Sequence, residues 1–125
     1  MPVAPSLSIL VAGPYRSGTL DDPERIAENV LRMEEAALEL FRAGHLPLLG
    51  EWLALPLIAR AGSRAMGDSQ WEAIFHPVAE RLARRCDACL RIGGPSAGAD
   101  QMVAIFRALG RPVYRDLHEV PPAGP

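Results

Sequence analysis

The chain has 125 residues, 49% of them hydrophobic and 22% charged, with a formal net charge of −2. That length predicts one domain over residues 1–125 with a single core, and the composition excludes a disordered chain. The slightly acidic balance argues against a nucleic-acid partner, because phosphate backbones select basic surfaces. It leaves room for a small phosphate ligand, which needs only a few local donors.

The longest apolar run, near Trp52 to Ala59, is far below the roughly 20 residues that a bilayer span requires, so no membrane partner is expected. The opening residues lack the basic stretch of a secretory leader. Cys86 and Cys89 stand at the entry of a predicted strand, and no second pair completes a metal site. A redox or zinc role is not expected, nor a cofactor, and the setting that fits is a reduced cytoplasm.

In chain order, residues 7–12 (Leu-Ser-Ile-Leu-Val-Ala) form an apolar run typical of a strand buried on both faces. Asp22 then offers an N-cap, with Pro23 at the first helical position. Ile26, Val30, Met33, Ala37, Leu40 and Phe41 recur at the helical period, and Gly44 supplies a stop. His45 to Leu49 reads as a second strand, with Gly50-Glu51-Trp52 as the loop at its carboxyl end. A short helix from Trp52 to about Ala61 is disturbed at Pro56. Residues 62–68 read as a loop or a mobile lid. Asp68 or Ser69 caps the next helix, with Trp71, Phe75, Val78 and Leu82 as its apolar positions. Pro77 either kinks that helix or starts another. Asp87 to Ile92 is the third strand. A helix from about Ala97 to Leu109 places Ala99, Met102, Val103 and Phe106 on its core side. Arg111 to Tyr114 is a last short strand, and residues 118–125 read as a frayed tail.

Strands alternating with helices imply an α/β fold: a doubly wound, flavodoxin-like or Rossmann-like parallel sheet of four to five strands flanked by helices. In such sheets ligands bind outside the carboxyl ends of the strands. Two glycine-bearing loops fall there, Gly13-Pro14-Tyr15-Arg16 and Gly93-Gly94-Pro95-Ser96-Ala97-Gly98. Ser96-Ala97-Gly98 opens a helix, where free amides and the dipole favour an anion. The plainer reading makes Ser96 an ordinary N-cap. Gly94, Ser96, Gly98 and Ala99, with Arg16, are the phosphate candidates. Gly13, Tyr15, Glu51 and Trp52 are the candidates for base and sugar, against the plainer reading of a turn and a core Trp. His45 reads as structural. His76 and Glu80, spaced i,i+4, read as a surface pair.

Val11-Ala12-Gly13-Pro14-Tyr15, Ala43-Gly44-His45, Cys86-Asp87-Ala88, Ser96-x-Gly98-Ala99 and Leu109-Gly110-Arg111-Pro112-Val113 run through most of residues 7–114. In that order they resemble the nucleoside 2-deoxyribosyltransferase superfamily, in particular small bacterial members alongside the deoxynucleoside 5′-monophosphate N-glycosidases. The resemblance implies a nucleoside or nucleotide ligand, a homo-oligomer, and cleavage or transfer at an N-glycosidic bond by two carboxylates. The family's Glu, six residues after the serine of Ser-x-Gly, falls on Met102, and its assisting Asp falls on Ala79. Both carboxylates are absent under that alignment. Asp100 and Glu51 are the catalytic candidates that remain. The alternative is a non-catalytic nucleotide sensor or oligomeric interaction module.

Overall fold

A computed structural model describes residues 4–124. Four parallel strands, β1 (Ser8–Ala12), β2 (Leu46–Leu48), β3 (Ala88–Arg91) and β4 (Val113–Tyr114), form one sheet in the order β2-β1-β3-β4. Helix α1 (Pro23–Arg42) joins β1 to β2; α2 (Gly50–Arg60) and α3 (Ser69–Ala83) lie between β2 and β3; α4 (Ala97–Ala108) joins β3 to β4. The chain leaves β1 in one direction and returns past it to β3. The β1–β3 pair, in register from Ile9↔Ala88 to Ala12↔Arg91, is therefore the switch point where such sheets open a crevice.

Strand alternation divides the core into two layers. Ile9, Val11, Ala88 and Leu90 pack against Met33, Ala36, Ala37 and Leu40 of α1. Leu10, Ala12 and Cys89 pack on the other face against Met102, Val103 and Phe106 of α4 and Ala83 of α3. Helix α1 forms where its cap and period place it: Asp22 accepts from the Glu24 amide at 3.0 Å, and Pro23 opens the helix. Phe41 departs from the expected core set and is 65% exposed. Gly44, at φ +94°, turns the chain toward β2.

Two expectations are corrected and two open alternatives are decided. Gly50, Glu51 and Trp52 are not a loop but the first turn of α2, and Pro56 sits inside that helix. Pro77 lies inside a single helix α3 and starts no new one. Residues 62–68 are held rather than lid-like. The Asp68 carboxylate accepts from Ser63 Oγ, from the amides of Arg64 and Ala65, and from the Trp71 amide at the start of α3.

The second correction concerns the tail. Residues Leu117–Glu119 form a 3-10 turn with a capping box between Asp116 and Glu119. Val120 enters the α1-side core, and Ala123 bridges Ala4. Pro125 lies outside the described residues. His45 holds this end in place: its Nδ1 accepts from the Leu7 amide at 3.1 Å, and its Nε2 donates to Pro121 O at 2.7 Å. The cysteines are buried, and burial pushes the Cys86 thiol up to about 11 and the Cys89 thiol up to about 12. No helix of the described residues is long and apolar enough to cross a membrane.

Candidate functional site

A cavity of about 360 Å³ opens at the carboxyl ends of the strands. Its floor is the end of β1 (Leu10 to Gly13), and its walls are the Tyr15-Arg16-Ser17 loop, the start of α2, one face of α3 and the start of α4. The sheet order dictates this convergence, because the loops after β1 and β3 leave on opposite sides of the switch point.

Glu51 is the polar centre of the cavity. It sits in the first turn of α2 and is only 7% exposed. Its Oε1 has no hydrogen-bond partner and stands alone in this among buried side-chain atoms of the described residues. Burial raises its carboxyl above the ordinary glutamate range; its own backbone amide opposes the shift, and the Glu34 charge adds to it. The shift favours the acid form, which carries a proton to donate as well as an oxygen to accept with. Gly50 sets α2 directly against α3: a Cβ there would lie 3.4 Å from Ala79 Cβ, in van der Waals contact.

Tyr15, Trp71 and Phe75 build an aromatic wall. Trp71 and Phe75 stack with centroids 4.9 Å apart, and Tyr15 lies 5.3 Å from Phe75 and 6.0 Å from Trp71. Burial and the neighbouring Glu51 charge push the Tyr15 phenol up. Asn29 Nδ2 donates to Tyr15 O at 3.0 Å and pins the loop to α1. Arg16 stands over Trp71 at 5.9 Å. Its Nε and Nη2 each reach the Asp21 carboxylate at 3.0 Å, while Glu72 lies 3.9 Å away. Leu20 and Asp21 both carry positive φ, at 53° and 59°, a conformation non-glycine residues adopt at a cost. Backbone strain is thus concentrated where Asp21 meets Arg16.

The start of α4 bears out the plainer reading of Ser96. Its Oγ accepts from the Ala99 amide at 3.2 Å, so it is an N-cap. Ser96, Ala97, Gly98 and Ala99 nonetheless all line the cavity that Tyr15 and Glu51 share. Gly98 leaves space for His76 on α3, whose Cε1 would lie 3.3 Å from a Cβ there. His76 Nε2 donates to Gln101 Oε1, and both residues line the cavity. His76 is therefore tied to α4, not to Glu80 on the surface.

Other candidates lie elsewhere. Trp52 is 42% exposed, and its Nε1 donates to Glu34 Oε2 at 3.2 Å, outside the cavity. One position after Glu51 on a helix points in another direction. Asp100 faces Arg91, whose Nε reaches its Oδ1 at 3.1 Å, and is not in the cavity lining. Gly94 is also outside the lining; its carbonyl accepts from Arg91 Nη2 at 2.8 Å. Gly13 does line the cavity, but the space of its missing Cβ faces Ile92 O at 3.0 Å and Met33 Sδ at 3.3 Å. The close approach it permits is between protein segments.

Met102 and Ala79, which stand where the resemblance expects Glu and Asp, both line the cavity. Trp71, Phe75, His76 and Gln101 are additions to the site that sequence reasoning missed. The signal for the three on α3 was Ala79 itself: Trp71, Phe75 and His76 stand at i−8, i−4 and i−3 from it, and Gln101 adjoins Met102 on α4. Among the described residues no cluster of three His, Cys, Asp or Glu side chains is placed to hold a metal ion.

No protein-family profile and no curated protein matches the chain by sequence. A solved structure does match in fold. It is a 2-deoxyribosyltransferase from Bacillus psychrosaccharolyticus, described as a biocatalyst for the synthesis of antiviral and antitumoral nucleosides. The superposition has a TM-score of 0.61 at 18% identity and covers 85% of this chain and 69% of the other. The four-stranded doubly wound sheet of this chain has the 2-deoxyribosyltransferase-like fold.

Proposed function

We propose that the cavity binds a nucleoside or nucleoside 5′-monophosphate, and that the chain cleaves its N-glycosidic bond with Glu51 as the acid on the departing base. The observation that carries this reading is the Glu51 carboxyl, buried in the cavity wall with Oε1 unpartnered. An unsatisfied buried polar atom costs about 1–3 kcal/mol, a cost removed once a ligand draws the carboxyl toward the cavity and completes the bond. A protonated carboxyl presents one donor and one acceptor, the pairing that the edge of a nucleobase offers.

The rest of the cavity suits such a ligand. Tyr15, Trp71 and Phe75 stack on one another and give the cavity an apolar aromatic wall against which a base fits. Ser96, Gly98 and Ala99 present the amino end of α4 to a phosphate. Arg16 stands at the same rim, with a fork that fits phosphate once it leaves Asp21. The fold likeness to a 2-deoxyribosyltransferase supports nucleoside chemistry.

A second reading, a nucleotide sensor without catalysis, draws support from one observation. The two cavity positions where the resemblance expects carboxylates carry Met102 and Ala79.

The test is a thermal-shift series with the four 2′-deoxynucleoside 5′-monophosphates and their nucleosides, followed by chromatography for free base. A ligand at 100 times its Kd raises stability by about 2.7 kcal/mol. Stabilisation with base release, the release lost in Glu51→Gln, supports the enzyme. Stabilisation without release by the wild-type chain supports the sensor, and no stabilisation by any of the eight compounds sinks both.

A further inference from the structure

The cavity holds a second proton-transfer group that the proposed function leaves unused. His76 occupies the second turn of α3, on the face it shares with Glu72 and Ala79. Ala79 marks the place where the amino end of α2 meets α3, since a Cβ on Gly50 would stand 3.4 Å from its own Cβ. Three residues of helix, about 4.5 Å of rise, separate that contact from His76. Glu51 and His76 therefore look into one cavity from adjacent helices.

The hydrogen bond that His76 makes decides which nitrogen is available. With the Gln101 amide assigned so that Oε1 faces the ring, that oxygen accepts and Nε2 carries the hydrogen. Nδ1 is left with a lone pair and lies on the side of Gly98, 4.0 Å from where a Cβ there would stand. Gly98 keeps clear the edge of the ring that carries Cε1 and this nitrogen. Glu51 offers the complementary state, an acid form favoured by burial. A site with one protonated acid and one free base is equipped to protonate a leaving group and to deprotonate a nucleophile in the same step.

We infer that His76 is the general base of this cavity, taking a proton from the water that attacks the anomeric carbon while Glu51 protonates the departing base. The inference rests on the proposed N-glycosidic cleavage. In the step, the water oxygen bonds to C1′ and the C1′–N bond breaks. Its electron pair goes to the base nitrogen, which takes the Glu51 proton, while His76 Nδ1 takes a proton from the water. The products are the free base and the sugar hemiacetal, and solvent restores both protons. His76 and Glu51 thus perform with an imidazole and a carboxyl what two carboxylates do in the pattern this chain resembles. Gln101 is a positioning residue that fixes the tautomer.

The experiment follows base release from the 2′-deoxynucleoside 5′-monophosphate that stabilises the wild-type chain most. His76→Ala is expected to lower release at least 100-fold, within the 10²–10⁴ range of general-base loss. Stabilisation by the same nucleotide stays, and added imidazole restores a substantial part of the rate. Gln101→Leu, which keeps the ring and loses its anchor, is expected to lower the rate without imidazole rescue. His76→Ala within twofold of the wild type, or a loss that imidazole leaves untouched, overturns the assignment. If Glu51→Gln is inactive in the same series, the proposed function survives that result. Absence of base release by the wild-type chain overturns the His76 role, while retained nucleotide stabilisation keeps the binding reading.

Discussion

At the scale of single residues, Glu51 sets stability and chemistry against each other. Burial raises its carboxyl, so the folded chain holds the proton more tightly than the unfolded one. The stability associated with the neutral form is fully present below the unfolded value and is lost as pH rises through the folded one. Chemical denaturation is therefore expected to show Glu51→Gln gaining stability relative to the wild type as pH is raised from 4 to 8. An unchanged difference across that range would place the carboxyl in contact with water. Base release is expected to fall over the rising limb of the same titration, because the acid form is consumed. Gly93 shows a second residue-scale constraint. It sits at φ +79°, and a Cβ there would lie 2.7 Å from Pro14 Cδ. Gly93→Ala is expected to cost about 1–3 kcal/mol in urea unfolding, the usual range for strained backbone. It is also expected to weaken nucleotide binding, because the Gly13-Pro14-Tyr15 loop must give way.

At the scale of elements, the segment between α2 and α3 decides whether the aromatic wall stands. Asp68 accepts from three amides and the Ser63 hydroxyl, and these bonds hold its carboxylate down to about 2. The folded value is depressed, so its contribution persists through neutral and mildly acidic pH and is lost as pH falls through that value. Asp68→Ala is expected to speed amide hydrogen exchange at residues 63–67 and at the first turn of α3, where Trp71 is anchored. Unchanged exchange at those amides would mean that Met66, packed beside Trp71, holds the loop by itself. In α4, Phe106 is fully buried between the sheet and α3. Phe106→Ala is expected to cost about 3–5 kcal/mol, read as a lower urea midpoint with an unchanged slope.

At the scale of the whole molecule, the carboxyl-terminal segment closes the α1-side core. Val120 packs there, and Pro121 O takes the His45 bond at the start of β2. Removal of residues 117–125 is expected to lower the melting temperature markedly and to leave His45 Nε2 without its acceptor. An unaltered melting temperature would show that the segment only rests on the surface. The outer face of β2 and α2 is different. Leu46 on β2 and Leu53 and Leu57 on α2 are 57%, 46% and 52% exposed. The self-association expected from the sequence calls for such a face. Light scattering on Leu53→Glu/Leu57→Glu is the measurement: a change from oligomer to monomer supports burial of that face between copies, and an unchanged mass assigns the contact elsewhere.

Local rules made much of this fold legible. The cap at Asp22-Pro23, the period of α1 and α4 and the buried run of β1 all appear where the residues place them, because each depends on neighbours within about one turn or on burial alone. They also pointed to Tyr15, Arg16, Glu51 and the start of α4 as residues near the strand ends. Tertiary packing decided the rest. Asp100 turns to Arg91, Trp52 turns to Glu34, and His76 turns into the cavity, because the rotation of each helix is set by what it packs against. No local pattern carries that rotation. The solitary Oε1 of Glu51 is equally invisible in the chain, since an unsatisfied atom is defined by every surrounding group and not by its own neighbours.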